Sequence, residues 1–174
     1  IPRGPAGDID GVTPFWQTRI TNDADAEAAR TGLGALGPNE TPDRAFRRGN
    51  ILGTVTQSGG VPTGAIIERG SNANGQYVRY ADGTQICWNA DVGSLVTDTA
   101  VGSVFRAAST LTWTFPAAFA SGVVSVSAAH TSSASNRWTV VNGFGSTSAA
   151  INMFSATTSV AGISVSAFAI GRWF

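Results

Sequence analysis

Within nine residues, His130 to Trp138, the chain sets its one histidine, the Asn136 amide, the Arg137 guanidinium and the Trp138 indole. These types suit sugar recognition. An aromatic ring takes the apolar C–H face of a pyranose, while amide, guanidinium and imidazole groups meet its hydroxyls. The stretch reads as a polar loop between two strands, where binding groups collect. Arg137 is the only charge between Arg106 and Arg172, so it is solvated, paired across a chain boundary or facing ligand. Trp138 has a rival role as a core residue of the strand RWTVV.

Catalysis finds little to use. His130 alone could act as a base near neutral pH without a perturbed pKa. It precedes the Ser-rich loop TSSASN, yet no acid lies between Thr99 and Phe174 to orient its imidazole. No G-x-S-x-G elbow occurs, and a carboxylate pair would have to be assembled from Glu68, Asp91 or Asp98. One His and one Cys fall short of a metal-ligand set within a single chain. Three copies of His130 around a trimer axis would be the only route to one. Cys87, between Ile86 and Trp88, reads as a small buried hydrophobe. The expectation is a non-enzymatic chain without metal or cofactor.

The elements that must position the loop are strands. From Thr99 onwards there are only three charges, Arg106, Arg137 and Arg172, against 23 Ser or Thr residues. VVSVSAA (123–129) and ISVSAFAIG (163–171) alternate strictly, as strands with one buried and one wet face do. A wet face of hydroxyls instead of Lys and Glu is unusual, because charge normally keeps a sheet soluble and unpaired. Such a face suits packing against copies of itself or meeting a polar, uncharged ligand. Trp113, Phe115, Phe119, Phe144 and Phe168 are expected in the core.

Further strands are expected in ILGTVTQ, GAIIERG, GQYVRYA, TQICWN, TLTWTF, RWTVV and AAINMFS, with turns at Asn74-Gly75, Asp82-Gly83 and Asn142-Gly143. Many short strands with frequent turns predict a mainly β chain built as an antiparallel sandwich. Tyr77 and Arg79 share one strand face and, with Tyr80 and Trp88, form an aromatic-basic cluster expected at an interchain contact.

The 174 residues carry no net charge, and every basic residue is Arg. Neither nucleic-acid binding nor membrane insertion is expected. Asn22 or Asp23 can cap a short helix over DADAEAAR, stopped by Gly32 and Gly34. We expect three parts: a stem with that helix (1–50), a β-hairpin neck (51–98) and a sandwich tip (99–174). Starting at Ile1 and ending on Trp173-Phe174, the chain is expected to be a piece of a longer protein continuing upstream.

Two segments resemble known families. Gly49 to Trp88, GNILGTVTQSGGVPTGAIIERGSNANGQYVRYADGTQICW, resembles a segment of bacteriophage and prophage tail fibres just ahead of the tip domain. ADAEAARTGLGAL is similar to units of fibre shafts. The end, TWTFPAAFASGVVSVSAAH, then NRWTVVNGFGSTSAAINMF and ISVSAFAIG, resembles the H-type lectin pattern. The resemblance implies a homotrimeric fibre tip attached to the rest of the fibre upstream, carried on a virion tail and made in the bacterial cytoplasm. It also implies binding to a bacterial surface polysaccharide. The particle could equally be domesticated, such as a gene transfer agent or a contractile bacteriocin. In H-type lectins an Arg of the corresponding loop contacts the sugar, which points to Arg137. The family's aromatic-and-polar contact after the fourth strand corresponds to Met153, Phe154 and Ser155, making Ser155 the fifth candidate. That change of residues separates this chain from the family's N-acetylgalactosamine preference. Two other readings stay open: a purely structural trimerising cap, and a polysaccharide-degrading spike.

Overall fold

The computed structural model describes residues 48–120, 124–133 and 136–174. The helix expected over DADAEAAR and nearly all of the expected stem lie outside them. The described strands belong to one compact unit, Arg47–Phe174. A single helical turn, α1 (Arg48–Ile51), precedes a two-residue hairpin of β1 (Gln57–Ser58) and β2 (Val61–Pro62). The strand expected over ILGTVTQ is thus mostly absent. Leu52 instead makes a single parallel bridge to Ile67.

The first large sheet contains β3 (Ile67–Asn72), β4 (Gly75–Tyr80), β5 (Thr84–Thr97), β9 (Val124–His130) and β12 (Ser159–Arg172). Their spatial order is β3-β4-β5-β12-β9, and every pairing is antiparallel. Segment 51–98 and segment 99–174 therefore share this sheet. The second contains β6 (Thr99–Val101), β7 (Val104–Arg106), β10 (Arg137–Phe144) and β11 (Ser148–Ser155), ordered β10-β11-β7-β6. There β8 (Leu111–Thr114) also pairs β11. The antiparallel β-sandwich expected from the strand pattern is what forms.

Two of the three expected turns occur as read. Gly75 and Gly83 open β4's and precede β5's first residue with positive φ (125° and 94°), a conformation glycine adopts without strain. Asn142-Gly143 is different: it lies within β10, where the register slips between Val141 and Gly143 as a bulge. The chain reverses later, where Gly145 N–H donates to the Ser148 carbonyl. A dipeptide that favours a turn also fits a bulge, which re-aims the strand.

The core lies between the sheets. Trp113, Phe115 and Phe119 run edge-to-face, with centroids 5.0 and 5.1 Å apart. They share one buried cluster with Cys87, Ala167 and Ala169 from the first sheet and Ile151 and Met153 from the second. Large rings from one side are matched by small side chains from the other, as close packing demands. That match decides the orientation of β12. Val165, Ala167 and Ala169 point inward, so Phe168 and Ile170 point outward, 44% and 37% exposed. Phe144 is 52% exposed. Phe144 and Phe168 are therefore surface residues, contrary to the core placement expected for them, while Trp113, Phe115 and Phe119 are core.

A polar brace closes one end. Glu68 on β3 accepts the Val55 N–H and the Tyr77 hydroxyl, each at 2.9 Å, and lies 3.7 Å from Arg79. Arg79 Nε donates to Gln85 Oε1 at 2.8 Å, and fully buried Gln85 donates to the Ala117 and Ala118 carbonyls. Arg79 also lies over the rings of Tyr77 and Trp173. Tyr77 and Arg79 do share a face, but their partners here are within the chain.

Candidate functional site

The corner between β9 and β10 holds most of the candidate residues, and their positions follow from strand geometry. His130 ends β9 opposite Val165. Its Nε2 lies 3.1 Å from the Arg137 carbonyl oxygen, so the ring spans from the first sheet to the edge of the second. Thr139 strengthens the same corner by donating its hydroxyl to the Ala128 carbonyl. These side-chain bonds occupy backbone acceptors along facing edge strands that would otherwise be open.

Asn136 sits at the turn into β10. Its carbonyl accepts the Ala156 N–H at 2.9 Å and its amide donates to the Thr157 hydroxyl at 2.8 Å. It therefore clamps the start of β10 to the turn that follows β11. Ser155, the last residue of β11, precedes that turn. It is fully buried, and its Oγ accepts the Thr157 N–H at 3.1 Å. Its hydroxyl is spent inside the fold and does not reach a surface, which removes it as a direct ligand contact.

Arg137 and Trp138 are adjacent in sequence, and the strand turns them to opposite faces. Arg137 faces the inner side with its register partner Ser155. Its Nε, the His130 Nδ1 and the Asn136 Oδ1 are buried polar atoms without a hydrogen-bond partner among the described residues. Three such atoms within eight residues are uncommon, since buried polar atoms are nearly always satisfied by protein or ordered water. Trp138 faces outward, 44% exposed, stacked on Phe154 of β11. The two rings are 5.9 Å apart at 9°. The five candidates thus divide: His130, Asn136 and Arg137 form the corner, Ser155 is buried under it, and Trp138 stands on the other side of β10.

Two contributors were not singled out from the sequence. Phe154 is the register partner of Trp138 on one side and of Arg106 on the other. Arg106 in turn faces Thr99 across the β6–β7 hairpin. The outer face of the second sheet therefore carries one row across four strands: Trp138, Phe154, Arg106 and Thr99. Arg106 is exposed, and no described residue forms an ion pair or hydrogen bond with its guanidinium. The sequence signal for Arg106 was its rarity as a charge. The register that brings it beside Phe154 is non-local.

A second concave surface lies on the outer face of the first sheet, a groove of about 260 Å³ between Trp88, Asn89, Ser127, Ser166 and Phe168. Trp88, Phe168 and Ser127 are register partners across β5, β12 and β9. It repeats the mixture of aromatic and hydroxyl groups without charge. Among the described residues there is no cluster of three His, Cys, Asp or Glu side chains suited to a metal ion, and no helix is long and apolar enough to cross a membrane. Cys87 is buried, and burial raises its thiol pKa above the ordinary value, which disfavours the thiolate.

No family model matches the chain, and no curated protein matches it. Among solved structures, the chain is similar to a P. aeruginosa R1 pyocin fibre fragment comprising C-terminal residues 323–701, at 19% identity and a TM-score of 0.40. The alignment covers 99% of this chain and spans 39% of that one.

Proposed function

We propose that this chain is a tip region of a tail fibre from a phage or phage-derived particle, and that it attaches the particle to a host cell by binding a surface glycan. The observation that carries the reading is the Trp138–Phe154 pair. A large indole held by a parallel ring and left 44% exposed is a stacking surface of the kind a pyranose ring uses. A solvent-facing stack has no role in the core, which already holds Trp113, Phe115 and Phe119. The antiparallel sandwich and the tail-fibre resemblance of residues 49–88 agree with the assignment.

In this reading Trp138 and Phe154 supply the contact surface. His130, Asn136 and Arg137 hold β10 at the angle that presents it. The chain does no covalent chemistry and needs no metal or cofactor; adhesion is reversible. Assembly as a homotrimer would place three weak sites on one rigid tip, raising avidity by about 10²- to 10⁴-fold without stronger single contacts.

The test is adsorption of the fluorescently labelled chain to a panel of bacterial strains, with purified capsule or lipopolysaccharide as competitor. Saturable binding to some strains, blocked by their own polysaccharide and lost in Trp138→Ala with the fold intact, is the expected result. No binding to any strain by the folded wild-type chain would overturn the reading and favour a structural cap. Release of oligosaccharides from the competitor would instead point to a degrading spike.

A further inference from the structure

Resting on that attachment reading, we propose that the outer face of the second sheet recognises an acidic saccharide. The sugar ring lies on Trp138 and Phe154, and a carboxylate or phosphate on that sugar meets Arg106. Composition alone favours an uncharged ligand. Register changes the choice, because it puts a guanidinium in the same row as the aromatic stack.

Three observations carry the assignment. First, the row Trp138–Phe154–Arg106 spans three neighbouring strands. Adjacent strands are about 4.8 Å apart, so Arg106 and Trp138 are separated by roughly 10 Å across the sheet, the span of one substituted sugar ring with an arginine reaching inward. Second, Arg106 is exposed and its guanidinium has no ion-pair or hydrogen-bond partner among the described residues. Arg79 is engaged by Glu68 and Gln85, and Arg172 by the carbonyls of Asp82 and Phe174, whereas Arg106 is free beside an aromatic stack. Third, the strands of this sheet carry Arg106 and Arg137 and no acidic side chain. The acid nearest in sequence is Asp98, which accepts the Thr99 hydroxyl at 3.2 Å. A planar guanidinium beside an aromatic surface, on strands that carry no carboxylate of their own and with Asp98 held by Thr99 instead of by Arg106, fits a bidentate anion.

Carboxylate and phosphate share that chemistry, and the experiment separates them. Polysaccharide from a strain that adsorbs the wild-type chain is prepared in three forms: native, carboxyl-reduced with carbodiimide and borohydride, and dephosphorylated with hydrogen fluoride. Each competes for adsorption of the wild type, Arg106→Gln and Trp138→Ala. One of the two treatments is expected to weaken competition by about tenfold or more, identifying the anion as carboxylate or phosphate. Wild-type binding should fall as salt is raised, while Arg106→Gln binds weakly and with little salt dependence. Arg106→Lys should recover only part of the loss, because an ammonium lacks the planar fork. Thermal melting confirms that these surface variants fold. If neither treatment matters and Arg106→Gln adsorbs like wild type while Trp138→Ala does not, the acidic class is wrong and attachment through the aromatic stack stands. If no strain adsorbs the wild type, both readings fall together.

Discussion

Glu68 gives the sharpest stability prediction, because its carboxylate serves three partners, one before β3 and two on β4. Its Oε2 accepts the N–H of Val55, a residue only 3% exposed. In Glu68→Ala that donor loses a charge-assisted bond inside the fold, a loss of about 1.5–3 kcal/mol. The Tyr77 hydroxyl is half-buried and can turn to water, so its 2.9 Å bond contributes about 0.5–1 kcal/mol. The 3.7 Å approach of Arg79, with side chains 26% and 14% exposed, adds about 0–1 kcal/mol. The total is about 2–5 kcal/mol, or roughly 10–15 °C in melting temperature for a domain of this size. Glu68→Gln keeps an acceptor in place and is expected to cost about 1 kcal/mol. Urea unfolding followed by tryptophan fluorescence measures both. Equal midpoints for the two variants, or Glu68→Ala within about 0.5 kcal/mol of wild type, would refute the brace.

The same carboxylate fixes a pH dependence. The hydrogen bond to Glu68, then burial and the negative charge of Glu68, raise the Tyr77 pKa above its ordinary value. The unfolded tyrosine titrates at about 10. The folded form therefore holds its proton to higher pH, and the associated stability is complete below about 10. It is lost as pH climbs through the raised folded value. In a Tyr80→Phe background, tyrosinate absorbance should show late titration in the native protein and a return towards the ordinary value in Glu68→Gln. An unchanged curve in that variant would assign the shift to burial instead.

Three further outcomes follow from the packing. Trp113→Ala should destabilise by about 3–5 kcal/mol, since Trp113 is 2% exposed, while outward-facing Phe168→Ala should cost about 1 kcal/mol or less; denaturant titration of both tests the assigned orientation of β12. Gly75→Ala should lower the melting temperature sharply, because a Cβ there meets the Trp88 carbonyl oxygen at a φ of 125°; a melt like wild type would refute that turn. Cys87 should resist a thiol reagent in the native state and react only on unfolding, so labelling kinetics that ignore denaturant would contradict its burial.

What the sequence determined is period and chemistry. Alternation in VVSVSAA and ISVSAFAIG marks two-faced strands, and the lack of acids after Asp98 marks a surface that cannot neutralise its own arginines. Candidates at His130, Asn136, Arg137 and Trp138 were legible because rare side chains cluster in a short loop. What alternation cannot say is which face is buried when both are apolar. Phe168 looks inward by hydrophobicity, yet Ala167, Ala169 and Cys87 face the core because three aromatic rings already fill it. Asn142-Gly143 has the same ambiguity, since a local backbone preference serves a bulge as well as a turn. The burial of Ser155 and the row joining Trp138, Phe154 and Arg106 depend on pairing between strands, the last step joining Phe154 to Arg106 across 48 residues of chain (154 − 106). Local sequence sets the period along each strand, and only tertiary packing sets the register between them, because register is selected by the fit of the whole core.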